Sequence, residues 1–233
     1  MKRTLEKLRK GEHVTMVAFG DSITENTFHT RGHMNWVGLL DEALFEEYGN
    51  GVCTIINSGK CASSYREGLT RLDRDVLRYN PDLVIIAFGM NDAGRGLAGL
   101  EQFARDVETT VRRIREAAGS EILIRTPNPV VPVPGSGTAS GQAVDPENRP
   151  LKEYVSVLVE LAGKLGCEVV DHYTLWTTES FTFRHPVANP GALWLRMGDT
   201  VHPNWLGHLV FYRELAPKFG LPRYFPWEDI HPD

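Results

Sequence analysis

The sequence predicts an α/β fold built on a parallel sheet. Short apolar runs alternate with longer amphipathic stretches along the chain. The run at residues 83–88 is apolar throughout, so both its faces must be covered, as in a parallel sheet flanked by helices. The alternation continues without an internal repeat over the 233 residues, which makes one domain with right-handed crossovers. That domain spans residues 1–233, with its core between about 14 and 219.

Residues 14–19 read as the first strand. Residues 36–48 follow as a helix with Trp36, Leu39, Leu40, Ala43 and Leu44 on one face. Residues 52–56 are a second strand, and 65–79 a charged helix burying Leu69, Leu72, Val76 and Leu77. After the strand at 83–88 comes a helix over 100–118, stopped by Gly119. Residues 122–125 form a strand, 151–165 a helix and 167–170 a short fifth strand. A last helix covers 204–219, with Pro203 suited to its first turn. Two stretches break the pattern. Residues 127–150 are rich in Pro, Gly and Ser and too long for a plain connector. Residues 172–198 are rich in aromatics and follow the last strand, where such folds bind ligands. Both are candidate walls of a site or tolerated insertions.

Composition excludes several classes. With 25 Lys and Arg against 30 Asp and Glu, the net charge is −5, which argues against a nucleic acid or an anionic membrane as partner. Hydrophobic residues at 42% and charged residues at 24% describe an ordinary globular chain rather than a disordered or collagen-like one. The apolar run at 83–88 is far too short to span a membrane. The N-terminal MKRTLEKLRKGEH has no apolar signal region, so a cytoplasmic location is expected. Cys53, Cys61 and Cys167 cannot all pair within the chain and no CxxC occurs, so reduced, mostly buried thiols are expected.

Four short motifs follow expected strands or precede the last helix. Gly20-Asp21-Ser22 comes directly after the first strand, where Ser22 fits either a nucleophile or, with Asp21, a helix N-cap. Asn57-Ser58-Gly59 follows the second strand, where glycine lets a backbone N–H approach a ligand. Gly89-Met90-Asn91-Asp92 follows the third: Asn91 can donate its amide hydrogens to an oxyanion while Asp92 braces the loop. In Asp199-Thr200-Val201-His202, the carboxylate can reach the imidazole within one turn and fix its tautomer. Each has an ordinary turn or structural pair as its alternative. Together they supply a serine, backbone and amide donors and an Asp/His pair, the full equipment of acyl transfer.

In these four blocks the chain resembles the SGNH hydrolases, or GDSL esterases and lipases: Gly20-Asp21-Ser22, Gly59, Asn91 with Asp92, and Asp199-x-x-His202. The resemblance implies a flavodoxin-like three-layer α/β/α sandwich with a central parallel five-stranded sheet. It implies Ser22 as nucleophile, His202 as base and Asp199 as its orienting carboxylate. The backbone N–H groups of Ser22 and Gly59 and the side chain of Asn91 would form the oxyanion hole, supported by Asp21 and Asp92. No cofactor or metal is implied, and the partner is a small-molecule ester, with a homo-oligomer left open. One departure stands out: the second block usually carries another glycine three residues on, and here that residue is Ala62.

Membership of that family leaves the substrate open. Trp176 and Trp194, set among polar residues before Asp199, suit the faces of a sugar. The block Val201-His202-Pro203-x-x-x-Gly207-His208 is similar to that of SGNH acetylxylan esterases. Acetyl esters of carbohydrates are therefore expected, with a lipase or lysophospholipase activity as the alternative. Three rivals come from other classes. Ser22-x-Thr24-x-x-Thr27 resembles a flavodoxin phosphate loop, so an FMN electron carrier is one, although it leaves Asn91, Asp199 and His202 without a role. A metal-dependent phosphoesterase would use Asp21, Asn91 and His202, yet His29 and His33 flank a glycine and no early Asp-x-His occurs. Gly94-Arg95-Gly96-Leu97-Ala98-Gly99 matches GxGxxG, but follows the third strand rather than the first.

Overall fold

Five parallel strands form the centre of the protein: β1 (Val14–Gly20), β2 (Cys53–Gly59), β3 (Leu83–Ala87), β4 (Glu121–Arg125) and β5 (Glu168–Val170), in the spatial order β2-β1-β3-β4-β5. The computed structural model describes residues 1–25, 28–130, 150–178, 182–183, 185–186 and 195–223. All neighbouring strands of this sheet pair in parallel, as expected. β2 runs past the apolar stretch 52–56 because Asn57, Ser58 and Gly59 continue the register opposite Ala18, Phe19 and Gly20. β3 is buried along its whole length, and β1 at every residue but one, since both lie inside the sheet. The edge strand β2 is only partly covered.

The helices are α1 (Lys2–Arg9), α2 (Ser22–Glu25), α3 (Trp36–Tyr48), α4 (Tyr65–Asp75), α5 (Leu100–Ala118), α6 (Leu151–Lys164), α7 (His172–Thr178) and α8 (Trp205–Leu215). α3 buries the expected face of Trp36, Leu39, Leu40, Ala43 and Leu44. The expected helix over 65–79 ends earlier: α4 stops at Asp75 and a 3₁₀ turn, Leu77–Tyr79, closes the segment ahead of Asn80, whose φ is 45°. α8 is capped by Asn204, whose side chain accepts from the Leu206 and Gly207 N–H groups, so Pro203 precedes the cap instead of lying in the first turn.

α1 was not expected, because the N-terminal segment reads as uniformly charged. Its stability is non-local. Glu121 accepts hydrogen bonds from the Thr4 N–H (2.8 Å) and hydroxyl (2.7 Å), and Lys7 pairs with Asp82 at 2.8 Å. Leu8 is buried beneath it.

The stretch 127–150 lies mostly outside the described residues. The stretch 172–198 holds α7 and two short antiparallel strands, β6 (Thr182–Phe183) and β7 (His185–Pro186). The three cysteines are free but not mostly buried: Cys61 is exposed, and Cys53 and Cys167 are half-buried. Among the described residues, no helix is long and apolar enough to cross a membrane.

The chain leaves β1 towards β2 on one side, and β3 lies on the other. This β1/β3 boundary is the switch point of the sheet, where the carboxyl ends of the strands open a crevice. Ser22 follows β1 there, and Asn91 follows β3.

Candidate active site

Ser22 is the first residue of α2, so the cap reading of Gly20-Asp21-Ser22 falls to Asp21. Asp21 Oδ1 caps the helix by accepting from the Ile23 N–H at 3.0 Å, and Ser22 is left free to project. A Cβ on Gly20 would lie 2.2 Å from Thr24 Oγ1 and 2.9 Å from the Ala87 carbonyl, so only glycine allows this turn. Burial pushes the Asp21 carboxyl up to about 6, against the Ile23 N–H and the nearby charge of Arg125.

His202 arrives from the far end of the chain. Residues 195–204 fold back on themselves: Met197 pairs with Pro203, and the Asn204 N–H donates to the Arg196 carbonyl at 2.8 Å. Asp199 Oδ1 accepts from the Val201 N–H (2.7 Å) and His202 N–H (2.6 Å), while Oδ2 lies 2.8 Å from His202 Nδ1. Burial alone would raise the Asp199 pKa. The hydrogen bonds from the His202 ring and the two backbone N–H groups outweigh it and hold this carboxylate well below its ordinary range. The opposite ring nitrogen, His202 Nε2, lies 2.9 Å from Ser22 Oγ.

The second side of the crevice comes from the loop after β2. The Gly59 N–H donates to Asn57 Oδ1 at 2.9 Å and so is already engaged. A Cβ at Gly59 would lie 2.2 Å from the Glu25 nitrogen, so this glycine lets α2 pack on β2. Beyond it, Lys60 N–H donates to the Gly20 carbonyl (3.0 Å), Cys61 N–H to Glu25 Oε2, and Ser63 N–H to the Lys60 carbonyl (3.2 Å). Ala62 N–H has no hydrogen-bond partner among the described residues. Ala62 also has φ +58°, a conformation that costs a residue with a Cβ about 1–2 kcal/mol.

Asn91 faces this loop: its Nδ2 donates to the Ser63 carbonyl at 2.9 Å, which orients the amide and leaves its second hydrogen unused. Asp92 accepts from the Tyr65 N–H at 3.2 Å. Burial pushes its pKa up to about 7, despite that hydrogen bond.

Other sequence candidates fall elsewhere. Trp176 is not a cleft residue: it is 2% exposed, stacks on Phe211 with centroids 4.9 Å apart, and packs on Gly207. Its place on α7 turns it into the core, which aromatic composition alone could not reveal. Trp194 lies outside the described residues, as does Thr27 of the phosphate-loop reading. Gly207 and His208 serve packing. A Cβ on Gly207 would meet the Arg196 carbonyl at 2.5 Å, and His208 Nδ1 accepts from the Trp36 N–H at 3.1 Å. The GxGxxG stretch forms two 3₁₀ turns held by Tyr154, whose hydroxyl donates to the Gly96 carbonyl at 2.8 Å.

Two residues near the site carried no sequence signal for their roles. Arg71, on α4, donates to the Gly20 carbonyl (2.8 Å) and the Ser58 carbonyl (2.8 Å), tying the ends of β1 and β2 together. His29 stacks on His202, with centroids 4.5 Å apart and planes 4° apart. His29, Asp199 and His202 bring ligand atoms within 4.8 Å of one another. Stacked parallel rings send their nitrogen lone pairs along separate planes, however, whereas a metal ion needs them to converge.

The profile of the GDSL-like Lipase/Acylhydrolase family matches residues 18–210, which includes Ser22, Asn91, Asp199 and His202. The chain is 23% identical over 235 residues to the mouse isoamyl acetate-hydrolyzing esterase 1 homolog, covering 92% of this chain and 87% of the mouse protein. A shorter stretch of 81 residues is 35% identical to an arylesterase of Vibrio mimicus, covering 35% of this chain and 39% of that one. Among solved structures, an acetylxylan esterase of Geobacillus stearothermophilus superposes with TM-score 0.69 at 20% identity, covering 91% of this chain and 97% of that one. A lipase/acylhydrolase of Enterococcus faecalis gives TM-score 0.67 at 25% identity, covering 91% and 99%.

Proposed function

The chain belongs to the GDSL-like lipase/acylhydrolase family and is a carboxylic ester hydrolase, and from that premise we propose that Ser22, His202 and Asp199 hydrolyse short-acyl esters, acetylated carbohydrates above all. The unbroken line Ser22 Oγ–His202 Nε2 (2.9 Å) and His202 Nδ1–Asp199 Oδ2 (2.8 Å) carries the reading. In it, His202 takes the Ser22 proton as Oγ attacks the ester carbonyl, and Asp199 stabilises the imidazolium that forms. His202 then gives that proton to the leaving alcohol. A water activated by the same ring releases the acid from the acyl-enzyme.

Three donors are suited to the oxyanion. The Ser22 N–H opens α2, where no carbonyl of the helix can accept it. Asn91 has one amide hydrogen unused. We assign the third to the Ala62 N–H rather than that of Gly59, because the Gly59 hydrogen bond to Asn57 is already made and Ala62 has none.

The acyl group is proposed from two relatives. The mouse protein is named for isoamyl acetate and the Geobacillus structure for acetylxylan, and both esters release acetate. For the alcohol, His33 and Trp205 stack 5.2 Å apart, three residues beyond His202, and Trp205 is 40% exposed. Such a flat face beside polar groups suits a sugar ring. The test is a 4-nitrophenyl ester series with acetylated xylo-oligosaccharides. Acetate should be cleaved faster than butyrate and far faster than octanoate, with acetate released from the sugars. A kcat/KM that climbs through octanoate, with no release from acetyl-sugars, supports a lipase or lysophospholipase instead.

A further inference from the structure

His29 has no role in the mechanism above, yet it touches two of its three residues. Its ring lies flat on His202, and its Nε2 is 3.6 Å from Asp199 Oδ2, the oxygen that faces His202 Nδ1. At 3.6 Å this is an electrostatic contact rather than a hydrogen bond. The fit is close: a Cβ on Gly198 would lie 2.8 Å from the His29 Cβ and 3.0 Å from its Nδ1, so glycine makes room for this ring. Phe28 stands edge-on to it at 5.1 Å.

We propose that His29 is a positioning residue, which holds the His202 ring in plane and leaves Asp199 committed to it only while His29 is neutral. The proposal rests on the esterase reading of the same site. A neutral ring covers one face of His202, limits its rotation and presents a π-face to the imidazolium that forms during acylation. A protonated His29 reverses both effects. It sets a second cation against the imidazolium and competes as an ion pair for Asp199 Oδ2.

The titratable groups around His29 are His202 and Asp199 on the folded-back loop and His208 on α8. Burial, together with His202, moves the His29 pKa below its ordinary value, although Asp199 opposes the shift. The ring is therefore neutral at neutral pH. Acidification should then charge His29, and activity should fall more steeply than in a protein whose residue 29 cannot titrate.

The experiment compares wild type with His29→Ala and His29→Phe, each checked for an unchanged thermal melt. His29→Ala should lower kcat about tenfold with KM within about twofold. His29→Phe, which keeps a flat ring that cannot titrate, should recover most of kcat at pH 8 and show a shallower acid limb than wild type. The ring-proton shifts of His202, followed by NMR without substrate, should report the charging of His29 in wild type as a step that His29→Phe lacks. A kcat for His29→Ala equal to wild type, a Phe variant no better than Ala, or the absence of that step in wild type overturns the proposal. Failure of the wild type to cleave any ester overturns the esterase reading instead, and the NMR titration still decides the coupling.

Discussion

Ser22 Oγ and His202 Nε2 lie 2.9 Å apart although 180 residues separate them. The parallel sheet delivers Ser22 at the end of β1, and the folded-back loop before α8 delivers His202 already bonded to Asp199.

Ser22→Ala should fold and melt like wild type while losing ester hydrolysis. An organophosphonate should label Ser22 alone. Ser63 and Ser64 are buried (3% and 2% exposed) and bonded within the next loop. Labelling there, with Ser22→Ala still active, would remove Ser22 from its role.

Asn91→Ala should lower kcat by about 10²–10³ with little change in KM, because a bond to the oxyanion strengthens as charge develops. A pure KM effect would make Asn91 a binding residue instead.

Gly59→Ala and Ala62→Gly should part company. Gly59→Ala forces a Cβ onto the α2 backbone and should cost several kcal/mol of stability, read by denaturant unfolding. Ala62→Gly keeps the N–H and relieves the positive φ, so kcat should hold and stability should rise by up to about 1 kcal/mol. Loss of kcat in a stable Gly59→Ala protein would return the donor to Gly59.

Asp92 links the site to pH. Its carboxyl, pushed up to about 7 by burial, binds a proton in the native state that the unfolded chain releases. Its ionisation therefore costs stability, fully above pH 7 and progressively less as pH falls from the folded value to the ordinary carboxylate value near 4. Asp92→Asn should be more stable than wild type by roughly 2–4 kcal/mol at pH 8, with the difference shrinking below pH 7 and gone only by about pH 4. His208, lowered to about 3 by burial, works the other way, since the unfolded chain gains its proton first as pH falls. Wild-type stability alone would mask the effect, so the variant difference is the quantity to measure. A difference independent of pH would show that Asp92 is not protonated in the native state.

Hydrolysis should survive exhaustive chelation, since the proposed nucleophile is the Ser22 hydroxyl with His202 as its base. Abolition by EDTA, with recovery on adding a divalent ion, would replace the serine mechanism with a metal-dependent one.

The sequence by itself determined the five strands, the principal sheet-covering helices and the order of the four blocks. Those depend on local quantities: apolar runs of strand length, the 3.6-residue period of helix faces, and glycines where a chain must turn. It also marked Ser22, Asn91, Asp199 and His202, because each follows a strand or precedes the last helix. Only the tertiary structure decided what depends on contacts between distant segments. α1 looks too charged to be a helix until Glu121 and Asp82 accept its donors. Trp176 looks like a cleft aromatic until α7 turns it onto Phe211. Gly59 and Ala62 differ in sequence by one methyl group, but which N–H is free follows from the Asn57 side chain and a backbone φ of +58°. His29 and His33 show no pairing in the sequence, and only the fold lays one ring on His202 and the other on Trp205. Periodicity records which face of a segment is apolar. It carries no record of the partner that face or donor will meet, because the partner is chosen by packing across the whole chain.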